Sequence, residues 1–217
     1  MSKLRSVVIA TRNMGKFMEI RDGLIDLFDE IHSLSDFDFH DDTKESESSY
    51  LENVMKKARR VGERTGIVSL ADDSGLEVDY LKGRPGVISS RYGKDDDERI
   101  GRLLSELEGV PWSKRTAKFR AYIALYFPGM ERYYIFYGEL KGYIGFEKKT
   151  GYGFGFDPVF YVPSLKKYLS ELSTKEKNEV SHRGKALRSL RKFLENFDFY
   201  WSQRDSNSRF RRERPVS

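Results

Sequence analysis

Apolar residues recur along this chain with two different periods, and the switching between them predicts its elements. Phe17, Ile20, Leu24, Leu27 and Phe28 repeat at helix spacing, behind a short β-rich run at residues 6–10 and a polar loop at 11–16. Residues 32–49 are polar and acidic and read as a loop. Leu51, Val54, Met55, Ala58 and Val61 then share one face of a helix over residues 50–64. Residues 67–71 and 76–80 read as strands on either side of a step, Asp-Asp-Ser-Gly, at 72–75. A Gly/Pro-punctuated loop covers 82–93, and Asp95 and Glu98 have capping-box spacing for a helix through Leu107.

Strict alternation follows: Ala117, Phe119, Ala121, Ile123, Leu125 and Phe127 put one apolar face on a strand over 116–127. Pro128-Gly129-Met130 turns the chain into a hairpin partner at 133–137, and 143–146 reads as a further strand. A last helix carries Leu187, Leu190 and Leu194 and ends near Phe197. Strands alternating with helices predict an α/β protein with a helix-flanked mixed sheet, partly antiparallel. Residues 198–217 show no apolar period, are rich in Arg and Ser, and read as a disordered tail behind a single domain at 1–197.

Composition changes this picture little. No apolar run approaches the roughly 20 residues that span a bilayer, and the run at 6–10 is too short for a secretory core. These features point to a cytoplasmic protein. The chain has no cysteine, which excludes a disulfide framework, a thiolate metal site and a thiol nucleophile. The net charge of +5 suggests a polyanion surface until its distribution is considered: residues 198–217 carry +2 of it, leaving the body only mildly basic.

Four segments carry candidate chemistry. Thr11, Arg12, Asn13, Met14, Gly15 and Lys16 lie between a strand and a helix, where backbone N–H groups and an ammonium favour a phosphate; a plain strand-to-helix turn fits equally. The loop is not a Walker A motif, since it lacks that motif's first Gly and its hydroxyl after Lys. Glu45 and Glu52 precede the paired acids Asp72 and Asp73 by some 20 residues, a carboxylate set compatible with Mg²⁺ on phosphates or with turn capping and solvation. Residues 150–160, Thr-Gly-Tyr-Gly-Phe-Gly-Phe-Asp-Pro-Val-Phe, interleave aromatics with glycine. Phe154 or Phe156 can stack on a nucleobase there, with Asp157 as acceptor, or the segment is an aromatic core bend. Finally, Ser173 and Glu176 have capping-box spacing, and Lys177, His182, Arg183 and Lys185 gather donors near a helix start. His182 and Arg183 would splay about 100° apart on a helix.

Taken in order, the segments 10–16, 45–53, 71–93, 151–160 and 176–187 closely resemble the inosine triphosphate pyrophosphatase family, from about Val7 to Leu190. The resemblance implies an elongated mixed sheet flanked by helices, two lobes around a central cleft, and a homodimer. It implies hydrolysis of ITP, dITP and XTP to the monophosphate and diphosphate. It also implies roles: Thr11, Asn13 and Lys16, within the 11–16 loop, on the triphosphate; Glu45 and Asp73 on Mg²⁺, with Asp72 close by; Asp73 as base; Ser74 on substrate. Phe154, Gly155, Phe156 and Asp157 would form the base pocket, closed by Lys177, His182 and Arg183 around a 6-keto oxygen. Donors fixed on that oxygen would be left unpaired opposite adenine's amino group. Guanine also carries O6, so rejection of GTP would rest on its 2-amino group.

This chain departs from the family pattern at Arg12, where Gly is frequent, at 45–49, and at Phe156, where Tyr or Trp is common. Two rival readings remain. One is a Maf-like pyrophosphatase for other modified nucleotides, against which the Ser-His-Arg run at 181–183 argues. The other is a basic nucleic-acid-binding module, which leaves the three acids Glu45, Asp72 and Asp73 unexplained.

Overall fold

The computed structural model describes residues 4–39 and 49–206. Glu45 and residues 207–217 lie outside the described residues. The elements run β1 (Leu4–Ile9), α1 (Met14–Leu24), β2 (Phe28–His32), α2 (Tyr50–Thr65), β3 (Ser69–Val78) and α3 (Asp96–Glu106). They continue with β4 (Thr116–Phe127), β5 (Arg132–Ile144), β6 (Phe160–Val162), β7 (Lys167–Tyr168), α4 (Thr174–Val180) and α5 (His182–Ser206).

These strands form one seven-stranded sheet in the order β2-β1-β3-β4-β5-β6-β7. β1 pairs in parallel with β2 and β3, and every other pairing is antiparallel. The mixed α/β architecture expected from the alternation of periods is therefore present. Two cores divide it. One gathers β1, α1 and α5 through Val7, Ile20, Leu70, Ile123, Leu187 and Leu190. The other gathers α3 and the far ends of β3 to β5 through Leu76, Leu103, Phe119, Leu140 and Phe160. α2 covers the opposite face of the first half with Val54, Ala58 and Val61, its i, i+4, i+7 stripe.

Several elements differ from the sequence expectation. The step at 72–75 is no turn: β3 runs unbroken through it, with Asp72 opposite Ile123 and Asp73 opposite Tyr122 on β4. Continuous pairing outweighs the local turn signal because partners from three helices compensate both charges. Phe28 ends no helix but begins β2, buried beneath α1. The segments 133–137 and 143–146 fuse into the single strand β5, since Gly138 and Gly142 stay within the ladder opposite Ala121 and Ala117. β6 and β7 are too short for any period to show. α5 runs past Phe197 to Ser206.

Caps behave as their spacing predicts, with one variation. Ser173 and Glu176 form a reciprocal capping box on α4. On α3, Asp95 accepts from Glu98 N–H at 2.8 Å, but Glu98 reaches back to Lys94 N–H rather than to Asp95. Among the described residues no helix is long and apolar enough to cross a membrane.

α5 lies directly on β5 at Gly138. A Cβ there would sit 2.0 Å from the His182 carbonyl oxygen, so only glycine allows the helix start to approach. Gly138→Ala should therefore lower stability by about 2 kcal/mol through forced separation of the two elements. Gly101→Ala, inside α3 with nothing within 4 Å of the new methyl, should raise it by about 0.5–1 kcal/mol. Urea denaturation of the two variants checks both signs.

Candidate active site

β1 ends at Ile9 while its neighbour β3 continues to Val78, and their ladder stops at Ile9↔Leu70. The departing chain opens a cleft at the C-terminal end of a parallel strand pair, the usual ligand position in such sheets. Asp72, Asp73 and Ser74 lie just beyond the opening. The turn into α1 is held by Thr11 Oγ1, which accepts from Asn13 N–H at 3.2 Å, and by Asn13 Oδ1, which caps Lys16 N–H at 3.0 Å. Arg12 donates to the Phe39 carbonyl at 3.1 Å.

Because side chains alternate along a strand, the two adjacent acids leave β3 on opposite faces. Asp72 turns toward α1 and α5. It pairs with Lys16 Nζ at 2.8 Å and accepts from Arg183 Nε at 3.1 Å and from Ser74 Oγ at 3.0 Å. Burial pushes its carboxyl up, but Arg183 and then Lys16 outweigh that and hold it well below the usual carboxylate range. Asp73 turns toward α2, where Asn53 Nδ2 donates to it at 3.0 Å and Lys57 Nζ at 3.4 Å. A cavity of about 240 Å³ spans this region, lined by Thr11, Asn13, Lys16, Lys57, Asp73 and Ser74 among others.

A second, smaller cavity of about 80 Å³ adjoins it, sharing Asn13, Lys16, Ser74 and Ser90 in its wall. Its far side is made by Phe154, Gly155, Phe156, Asp157, Lys177, His182 and Arg183. Lys177 Nζ lies 4.4 Å from the Phe154 ring centroid and bonds Asp157 at 2.5 Å, while Asp157 also accepts Phe154 N–H at 3.0 Å. Burial raises the Asp157 carboxyl, an effect that the Lys177 ammonium opposes. Gly155 N–H donates to Asp96 at 2.6 Å, tying the loop to α3. Gly153 and Gly155 have φ of +91° and +62°, a backbone path open to glycine.

His182 and Arg183 splay apart as helical neighbours should. The His182 ring stacks on Phe119, 4.7 Å between centroids and 9° from parallel, and its buried Nδ1 has no hydrogen-bond partner among the described residues. Burial, and then the Arg183 charge, push the imidazole well below its ordinary pKa, so it is neutral. Arg183 is 1% exposed and bridges Asp72 on β3 and Glu19 on α1.

The two cavities thus bring together Thr11, Arg12, Asn13, Lys16, Asp73 and Ser74 at one end and Phe154 through Asp157, Lys177, His182 and Arg183 at the other. Met14 and Gly15 line neither cavity. Met14 is exposed, and Gly15 instead lets α1 approach Phe154, whose ring carbon a Cβ would meet at 2.4 Å. Phe156 is buried in the α3 core, T-shaped to Tyr92, and also lines the smaller cavity. Glu45 lies outside the described residues. Among the described residues no three carboxylates or imidazoles converge into a ready metal cage.

Sequence reasoning missed Glu19, Asn53, Lys57 and Asp96. Helix geometry carries a signal for the first three. Lys16, Glu19, Ile20 and Gly23 are spaced i, i+3, i+4, i+7 on one face of α1. Asn53 and Lys57 are one turn apart beside the apolar stripe of α2. For Asp96, in the first turn of α3, no local pattern points across to the 151–157 loop.

Fold and site together define a mixed α/β protein whose basic, aromatic-walled cleft lies between two cores. The chain belongs to the Ham1 family, whose model matches residues 7–193. The dITP/XTP pyrophosphatase of Bacillus cereus is 42% identical over 195 residues, covering 88% of this chain and 95% of that protein. The dITP/XTP pyrophosphatase of Geobacter sulfurreducens is 46% identical over 191 residues, covering 87% and 96%. A solved HAM1 protein from Coxiella burnetii superposes with a TM-score of 0.79 at 39% identity, covering 89% of this chain and all of that one.

The neutral, buried His182 gives stability a definite pH dependence. Above about pH 6.5 the residue is neutral folded and unfolded; below it only the unfolded chain gains the proton. Stability from this residue is therefore lost on acidification, at up to about 1.4 kcal/mol per pH unit. Asp72, held low, loses its contribution only below about pH 3.8, so between pH 6.5 and 5.5 it does not mask the change due to His182. His182→Gln should flatten the stability curve between pH 6.5 and 5.5, as read by urea midpoints.

Proposed function

We propose that this chain is a Mg²⁺-dependent nucleoside triphosphate pyrophosphatase that hydrolyses ITP, dITP and XTP to the monophosphate and diphosphate. The observation that carries the reading is the pairing of two joined cavities, one walled by cations and a buried carboxylate, the other by a stacked ring and fixed donors. The polarity of a purine triphosphate, anionic at one end and aromatic at the other, matches that division. The names of the Bacillus and Geobacter relatives support the same substrate class.

At the phosphate end, Lys16, Lys57 and the first N–H groups of α1 would neutralise the triphosphate. Asp73 would accept a proton from the attacking water. The water oxygen bonds the α-phosphorus, the anhydride bond from that phosphorus to the β-phosphate oxygen breaks, and diphosphate leaves. The described donor at this end fits a hard cation: Asp73 offers oxygen only, Glu45, outside the described residues, would add a second carboxylate, and Mg²⁺ commonly takes one or two carboxylates beside phosphate and water. Bound there, Mg²⁺ supplies charge neutralisation and a more acidic water.

At the base end, the ring of Phe154 would stack on the purine, and Lys177, His182 and Arg183 would surround the 6-keto oxygen. The same reading places the enzyme in the cytoplasm as a homodimer.

Diphosphate release from ITP, XTP, dITP, GTP and ATP, with and without Mg²⁺, tests the proposal. Comparable rates on ITP and ATP would overturn it. Asp73→Asn should reduce turnover of ITP by at least about 100-fold while inosine nucleotide still binds; near-normal turnover sinks the proposed base. Lys177→Ala should raise KM for ITP about 10-fold, through a lost charge-assisted hydrogen bond.

A further inference from the structure

Lys16, Asp72, Arg183, Glu19, Lys177 and Asp157 form one unbroken run of alternating charge through the floor of the cleft. Glu19 stands in its middle. It is 4% exposed, in the interior of α1, and divides its carboxylate between two cations on different helices. Oε2 accepts from Arg183 Nη1 on α5, and Oε1 pairs with Lys177 Nζ on α4 at 2.7 Å. Burial pushes its pKa up, but Arg183 and then Lys177 outweigh this and keep it ionised.

Each cation has only one other carboxylate in the run. Lys177 is left with Asp157, which also holds Phe154 N–H; Arg183 is left with Asp72, which also holds Lys16 and Ser74. Without Glu19 the run falls into two parts, a neutral Lys177–Asp157 pair and a group of Lys16, Asp72 and Arg183 with one uncompensated positive charge. Glu19 itself lines neither cavity, although Lys177 and Arg183, which it holds, line the smaller one. It acts on a ligand only through the cations it aims.

We propose that Glu19 is the positioning residue that sets base specificity, holding Lys177 and Arg183 at fixed separation so that their donors meet a keto oxygen and reject an amino group. The inference rests on the pyrophosphatase reading above. It differs from a simple structural role because the residue joins the base end of the cleft to the phosphate end. Without Glu19 the Lys177 ammonium keeps one anchor, Asp157, in place of two, and a donor that can pivot about a single anchor tolerates an amino group that a fixed one cannot.

The test compares wild type, Glu19→Gln, Lys177→Ala and the double variant for kcat/KM on ITP and ATP. Metal-free binding of IMP and AMP by calorimetry accompanies the kinetics. Glu19→Gln should lower the ITP:ATP ratio and the IMP:AMP affinity ratio, each by about 10-fold. In that background, Lys177→Ala should cost little further discrimination, since the two residues act as a unit. Should Glu19→Gln fail to fold, Glu19→Asp keeps the charge one methylene short of both cations and should shift both ratios in the same direction. Unchanged ratios in a folded Glu19 variant, or effects that simply add to those of Lys177→Ala, overturn the role given to Glu19. A wild type with no preference for inosine nucleotides in either measurement overturns the functional reading instead.

Discussion

The buried guanidinium of Arg183 is the contact on which the rest of this molecule depends. An arginine with 1% of its surface exposed survives only if every face of its charge is met. Here Asp72 meets one edge and Glu19 another, so α5 is tied to β3 and to α1 through a single group. Removing either acid alone would leave charge stranded in a dry site, at a cost of about 3–5 kcal/mol. The pairing also explains how Asp72 can lie within a strand. Its charge is held by partners on two helices, so the ladder need not break for it.

A second constraint, topological rather than electrostatic, turns this pairing into a site. β1 stops at Ile9, while β3 runs on beside β4. The gap exposes one flank of β3 where it carries Asp72, Asp73 and Ser74. Strand geometry then sends the adjacent acids to opposite faces, so they acquire unlike surroundings despite their shared sequence position. Asp72 is enclosed by Lys16, Arg183 and Ser74 and serves architecture. Asp73 meets Asn53 and Lys57 from α2 at the wall of the larger cavity. The unlike surroundings of the pair follow from which helix covers which face.

Much of this was legible beforehand where periodicity is strong. The β1–loop–α1 start, the α2 stripe, the alternation of β4 and the caps of α3 and α4 stand close to where their patterns put them. Misreadings cluster where a local signal competes with pairing. Asp-Asp-Ser-Gly spells a turn, yet ten consecutive residues of β3 pair with β4. Gly138 and Gly142 suggest a break, yet both are strand positions whose missing side chains admit α5 and β6. β6 and β7 span three and two residues, too few for a period to register. The candidate site shows the same division: motif residues could be picked out, but Glu19 sits in a helix pattern that any amphipathic surface helix would share.

By itself the sequence determined the residue types at the cleft, the order in which they occur and the alternation of helix and strand that makes the fold mixed. These are local properties, readable because hydrophobic period and capping chemistry act over a few residues. Only the tertiary structure decided which charges neutralise one another. Lys16 and Asp72, Arg183 and Glu19, and Lys177 and Asp157 meet across long stretches of chain. Their partnership depends on burial and on where α1, α4 and α5 cross the sheet, and a charge in sequence carries no record of either. Desolvation makes those meetings obligatory once the helices pack, and sequence spacing alone cannot say which they will be.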